Sequence, residues 1–291
     1  MSRPASPRSS PAQGTDTRRR RGPVVWALAA RDLRIVTGSS AVMIPLIVVP
    51  LVFVVLLPVG LAVAVHLGGS AVIEGANLAA SLERMPLPMA SRLAGLEPIA
   101  QLMVLVLGYL MAPMFLILPL MVASVIAADS FAGEKERKTL EALLYTPTSD
   151  VELFGAKLLV ALVPAIAVSW GGLLIYSAVA DAVAYPYLHR LLLPDPLWLV
   201  LVLWVAPAVA GLGLGVTVLV SARVRSFQEA YQLGGVVVLP IIALVAGQAA
   251  GVVYLDTVAA LVVGALLWVL DVALMAVGLR SFSRDALASR A

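Results

Sequence analysis

Cysteine is absent from all 291 residues, which excludes disulfides, thiolate nucleophiles and cysteine metal sites. Histidine is nearly absent: His66 and His189 are the only two, too few and too far apart for a histidine metal site. Charge is sparse as well. Charged residues make up 13% and apolar ones 61%, against the roughly 45–50% apolar content of a soluble globule. With a mean hydropathy of +1.00, the sequence reads as a polytopic membrane protein. A net charge of +3 would suggest nucleic acid in a soluble protein, but in a membrane protein the placement of charge matters more than its sum. No nucleic-acid partner is expected.

Residues 1–22, rich in Pro, Ser and Arg without an apolar period, read as a disordered basic tail. Over 23–37, Trp26, Ala29, Ala30, Leu33 and Val36 fall at helical spacing opposite Arg31 and Arg34, which suits an interfacial amphipathic helix. The simple alternative is an extension of the first span. A bilayer core of about 30 Å needs about 20 apolar residues of helix, and six runs qualify, at about 41–66, 100–128, 158–180, 197–220, 232–251 and 257–279. The domain 38–282 is thus an all-α, six-helix membrane domain, followed by a short tail over 283–291. The last boundary is the least defined, because "GQAAGVVYLD" allows only a tight turn or a re-entrant helix. Prolines inside the runs imply kinks, and Gly211 with Gly215 forms a GxxxG pair that serves packing.

Six spans put both ends on one side. Seventeen Lys and Arg fall on the side of the termini and three, Arg84, Arg92 and Arg190, on the other. The positive-inside rule then makes both termini cytosolic, together with the segments 129–157 and 221–231. "NLAASLERM" in the outer 67–99 segment reads as a surface helix.

The run "DSFAGEKERKTLEALLYTPTSD", Asp129 to Asp150, concentrates the charge. On a helical wheel from Ser130, Leu140, Leu143 and Leu144 form one stripe, with Glu134, Lys138 and Glu141 opposite it. Pro147 would end this helix and Asp150 would cap a second short one. Glu136 falls among the leucines and needs a partner, either Arg137 or a basic group on another protein. A solvated charged turn is the plain reading of such a run.

"GEKERKTLEALLYTP" followed by "GAK" at Gly155–Lys157 resembles the cytosolic loop signature of type-2 ATP-binding-cassette (ABC) exporter permeases. Glu134, Glu136, Thr139, Leu140, Glu141, Leu143, Leu144, Pro147, Gly155 and Lys157 match it, while Lys138 stands where many members have Gly. The resemblance implies a permease subunit whose coupling helix, with Glu134, Glu136, Arg137, Thr139, Leu140, Glu141, Leu143 and Leu144, docks on a separate cytosolic ABC ATPase. It implies export of an unidentified substrate from a cell-membrane homodimer or heterodimer in contact with lipid. Neither a G-x-x-x-x-G-K-[ST] loop nor an LSGGQ-like stretch occurs, so ATP and Mg would be held by the partner subunit, and this chain is expected to be neither an enzyme nor a cofactor carrier.

Asp271 is the one ionisable residue well inside a span. An unpaired carboxylate there costs roughly 2.5–3.5 kcal/mol on insertion scales. It is either a substrate or ion contact on the pathway or, the reading its depth favours, a protonated or hydrogen-bonded acid that steadies the bundle. Lys157 and Asp256, at span edges, are expected to reach headgroups and water. Two other function classes stay open on the residues alone. An ion-gradient transporter would show several intramembrane charges and inverted repeats; an assembly or scaffold protein would use the loop only for docking.

Overall fold

Hydrocarbon offers no water to a peptide group, so a chain that crosses it must satisfy its own N–H and C=O groups, and helices do so segment by segment. In a computed structural model, which describes residues 38, 40–75, 85, 87–137, 150–224 and 226–281, every regular element among the described residues is helical. Six helices are long and apolar enough to span: α1 (Val42–Gly68), α2 (Pro98–Glu136), α3 (Phe154–Leu188), α4 (Pro196–Ser221), α5 (Phe227–Ala249) and α6 (Thr257–Gly278). The protein is an all-α, multi-pass membrane protein.

The middle of the bundle is α2 against α4. Other helices enclose 72% and 67% of their most apolar stretches, against 11% for α1 and 17% each for α5 and α6. Glycine permits the contact. A Cβ at Gly213 would lie 2.6 Å from Leu120 Cδ1 and 3.0 Å from the Leu120 carbonyl oxygen. Gly211 and Gly215, one helical turn apart, turn the other face of α4 to α6, where Cβ atoms would meet Asp271 Oδ2 at 2.5 Å and Leu274 Cβ at 3.0 Å. Small residues substitute close backbone packing for the hydrophobic force that lipid cannot supply.

Prolines shape the spans through their neighbours. Pro58, Pro113 and Pro207 have no N–H for the carbonyl four residues earlier, and their rings crowd it. Those carbonyls belong to Val54, Tyr109 and Leu203, and all three lie in π-helical stretches, Val52–Leu56, Val104–Leu110 and Leu201–Val205. The widened turns accommodate the proline rings without ending the helices. They also leave carbonyls for side chains: Tyr176 Oη donates to the Leu107 oxygen at 2.8 Å and Trp198 Nε1 to the Gly108 oxygen at 2.7 Å. The Tyr176 and Trp198 rings stack at 4.8 Å, and Phe115 meets Trp198 edge-on, so one aromatic cluster ties α2, α3 and α4 together.

Several boundaries differ from the sequence reading. The helix containing α3 begins at Asp150 and runs unbroken to Leu188, so Asp150 does not open a separate short helix. The α5–α6 connection is a tight turn: Gly251 takes φ 72°, and the Val252 and Val253 amides both bond the Gly247 carbonyl. Asp256, which needed no role in sequence, caps α6 by accepting the Ala259 N–H at 2.7 Å. At the α3–α4 turn, at the same end of the bundle, Asp181 accepts the amides of Leu192 and Leu193 at 2.7 and 3.0 Å. The basic tail 1–22, the interfacial helix 23–37, the surface helix of "NLAASLERM" apart from Met85, and the tail 283–291 lie outside the described residues.

Candidate coupling site

At 39 residues α2 is about 58 Å long at 1.5 Å per residue, well beyond the 30 Å of a hydrocarbon core. Its final turns, and the start of the charged run, therefore lie on the flank of the bundle. Before the run comes a fourth π-helical stretch, Asp129–Gly133. A π turn rotates each residue through less than the 100° of an α-helix, so five of them shift everything beyond by roughly a quarter turn. That shift turns Glu134 and Glu136 together relative to the rest of α2, so a wheel drawn from Ser130 does not fix which of them meets the bundle. Glu134, expected on the solvent side, is buried; Glu136, expected among leucines, is exposed.

Each charge from Glu134 to Arg137 has a partner within the chain. The Glu134 carboxylate meets Lys157 Nζ at 2.5 Å. Lys157 also donates to the Ser130 carbonyl at 2.6 Å and sits 5.4 Å from the centre of the Phe131 ring. Instead of reaching headgroups and water as its place at a span edge suggested, Lys157 is 0% exposed. A fully buried ammonium requires such partners, because desolvation would otherwise exceed what the fold tolerates. Phe154, one turn before Lys157, packs edge-on against Phe131 at 5.9 Å, and Gly155 between them has open space around its α-carbon.

Lys135 donates to the Val224 carbonyl at 2.9 Å, just past the end of α4. Glu136 accepts the Phe227 N–H at 2.9 Å. Phe227 opens α5, where first-turn amides have no helical acceptor and the helix dipole favours an anion. Ser226 caps the same turn by accepting the Glu229 N–H at 3.2 Å. Arg137 turns back on α2, bonding the Asp129 carboxylate at 2.9 Å across Gly133. A Cβ on Gly133 would lie 2.9 Å from Asp129 Oδ1 and 3.2 Å from Arg137 Nη1, so glycine leaves the room this bridge needs. Beneath the charges Ala128, Ala132 and Ala230 let α5 approach α2, with Phe227 and Tyr231 packed around them.

The arrangement is a clamp: Glu134, Lys135 and Glu136 fix the end of α2 to α3, to the exit of α4 and to the start of α5, and Arg137 braces α2 itself through Asp129. Of the sequence-derived site residues, Glu134, Glu136, Arg137, Gly155 and Lys157 gather here. Lys138, Thr139, Leu140, Glu141, Leu143, Leu144 and Pro147 lie outside the described residues. Asp129, Ser130 and Phe227 were missed. The capping-box pattern Ser226-x-x-Glu229 in "SFQE" marks the start of α5 and was the available signal for Phe227.

Asp271 is remote from the clamp. It is buried at 4% exposure where α6 crosses Gly211 of α4, and neither carboxylate oxygen has a hydrogen-bond partner among the described residues. No cluster of three or more metal-ligating side chains occurs among the described residues.

No curated protein and no solved structure matches the chain. The family described as ABC-2 family transporter protein matches residues 26–262, taking in α1 to α5 and the first turns of α6 and stopping before Asp271. The chain belongs to that family: it is a membrane permease subunit of an ABC transporter, a component distinct from the ABC ATPase subunit with which such permeases work.

Proposed function

We propose that the protein is the permease of an exporter in the cell membrane, with both termini cytosolic, and that it moves its substrate out of the cytosol when ATPase subunits bound at the 138–149 loop close on ATP. The observation that carries this reading is the clamp. Residues 138–149 connect Arg137, at the end of α2, to Asp150, where the helix of α3 begins, so any displacement of an ATPase docked on them pulls first on residues 134–137. These residues bond to Lys157, Val224 and Phe227, and the force reaches four helices together. Docking and transmission are thereby divided: docking is assigned to Leu140, Leu143, Leu144, Thr139 and Glu141, while Glu134 and Glu136 hold the bundle and Arg137 braces the end of α2. The 17-to-3 bias of basic residues supports a cytosolic site for the loop. ATP and Mg reside in the partner, and the chain itself carries no cofactor. Two permeases, identical or paired, would match two ATPases.

The test begins with purification of the chain with its bound partners, followed by ATPase assays and vesicle transport. Leu140→Asp with Leu144→Asp is expected to remove the ATPase from the purified complex. Glu136→Gln is expected to retain it while lowering transport per ATP hydrolysed. Transport that survives ATP depletion and disappears when the ion gradient collapses would replace this reading with a secondary transporter. An intact complex that neither transports nor stimulates ATPase activity would leave a scaffold.

A further inference from the structure

We propose that the groove between α4 and α5 holds an anionic phospholipid, with its phosphate on Arg223 and one acyl chain along the apolar wall. The inference goes beyond the transport reading and does not depend on the direction of transport.

The groove has a volume of about 740 Å³, within the roughly 300–1,000 Å³ of sites that take molecules of this size. Leu212, Val216 and Val220 form its α4 wall, and Val236 and Leu239 its α5 wall. The α5 pair is 55% and 59% exposed, so the groove opens on the outer surface of the chain and not into the bundle. From Leu212 to Arg223 it runs about 16 Å along α4 at 1.5 Å per residue. Among the described residues the only charged one lining it is Arg223, at the end where α4 leaves the membrane.

Arg223 is exposed, and its guanidinium makes no hydrogen bond or ion pair with the described residues; only its backbone amide is engaged, with Val220. A second cation stands beside it, since Lys135 holds the carbonyl of the next residue, Val224. An apolar slot one leaflet deep with cations at its mouth complements an amphiphile with an anionic head, and basic pockets between helices bind such headgroups. Free phosphate would leave the slot unfilled. A second copy of the chain is disfavoured by symmetry, because a two-fold contact through this face brings Arg223 toward its own equivalent.

The test is native mass spectrometry of the full-length protein, delipidated in detergent and titrated with phosphatidylglycerol or phosphatidylcholine. Phosphatidylglycerol is expected to bind more tightly. Arg223→Gln, at an exposed position that leaves the fold intact, is expected to weaken it about fivefold, the factor one basic residue contributes at an anionic surface, with phosphatidylcholine unchanged. Arg223→Lys restores most of the difference. Val216→Trp, or Leu239→Trp from the opposite wall, fills the slot and weakens both lipids. Equal binding of the two lipids, or an Arg223→Gln variant with unaltered preference, overturns the assignment. So does a tryptophan variant that abolishes crosslinked dimers while lipid binding persists, because the groove would then be covered by a second copy.

Discussion

Lys157→Met provides the sharpest test of the clamp. The substitution keeps the aliphatic stem among Phe131 and Phe154 and deletes only the ammonium, which is 0% exposed and bonded to Glu134 at 2.5 Å and to the Ser130 carbonyl at 2.6 Å. The Glu134 carboxylate, itself only 7% exposed, then stays in place without the Lys157 ammonium. Breaking a buried pair from one side costs about 3–5 kcal/mol, a factor of roughly 150 to 5,000 in the folding equilibrium. Replacing both charges with apolar groups is often neutral, so Glu134→Leu with Lys157→Met is expected to recover most of the loss. The assay is a double-mutant cycle on unfolding by SDS in mixed micelles, followed by tryptophan fluorescence. Transport coupled to ATP hydrolysis is measured on the same four proteins. The double variant is expected to fold well yet couple poorly, because the polar link between α2 and α3 is gone. A cost below about 1 kcal/mol for Lys157→Met, the range of exposed pairs, would refute the buried-clamp reasoning. Additivity of the two single variants would do the same.

Three further outcomes follow from the packing. Gly213→Ala drives a Cβ within 3.0 Å of a backbone oxygen of α2 and should destabilise by about 1–3 kcal/mol in the same assay, whereas Gly155→Ala, with open space around it, should be tolerated. Gly211→Ala collides with Asp271 Oδ2 at 2.5 Å, so its loss of stability should shrink in an Asp271→Ala background; equal losses in both would mean that the two residues do not touch. Tyr176→Phe removes the donor to the Leu107 carbonyl and should cost about 0.6 kcal/mol, the mean for hydrogen bonds inside membranes, while Trp198→Phe also loses its bond to Gly108 and the larger ring, and should cost more.

Hydropathy alone settled the class of this protein, since an apolar run of span length has few alternatives to a helix once it enters hydrocarbon. Residue type and spacing also carried the family, through the short run around Glu134–Pro147 and Gly155–Lys157. The partners of those charges were beyond its reach, because Lys157 is 23 residues from Glu134 and Phe227 is 91 from Glu136. A wheel assumes uniform 100° steps, and the π-helical stretch at Asp129–Gly133 breaks that assumption where the charged run begins. Tertiary packing decided which carboxylate is buried, which caps α5, and that α2 and α4 form the centre of the bundle. Burial depends on what lies across the interface, and lipid-facing and helix-facing leucines are alike in sequence.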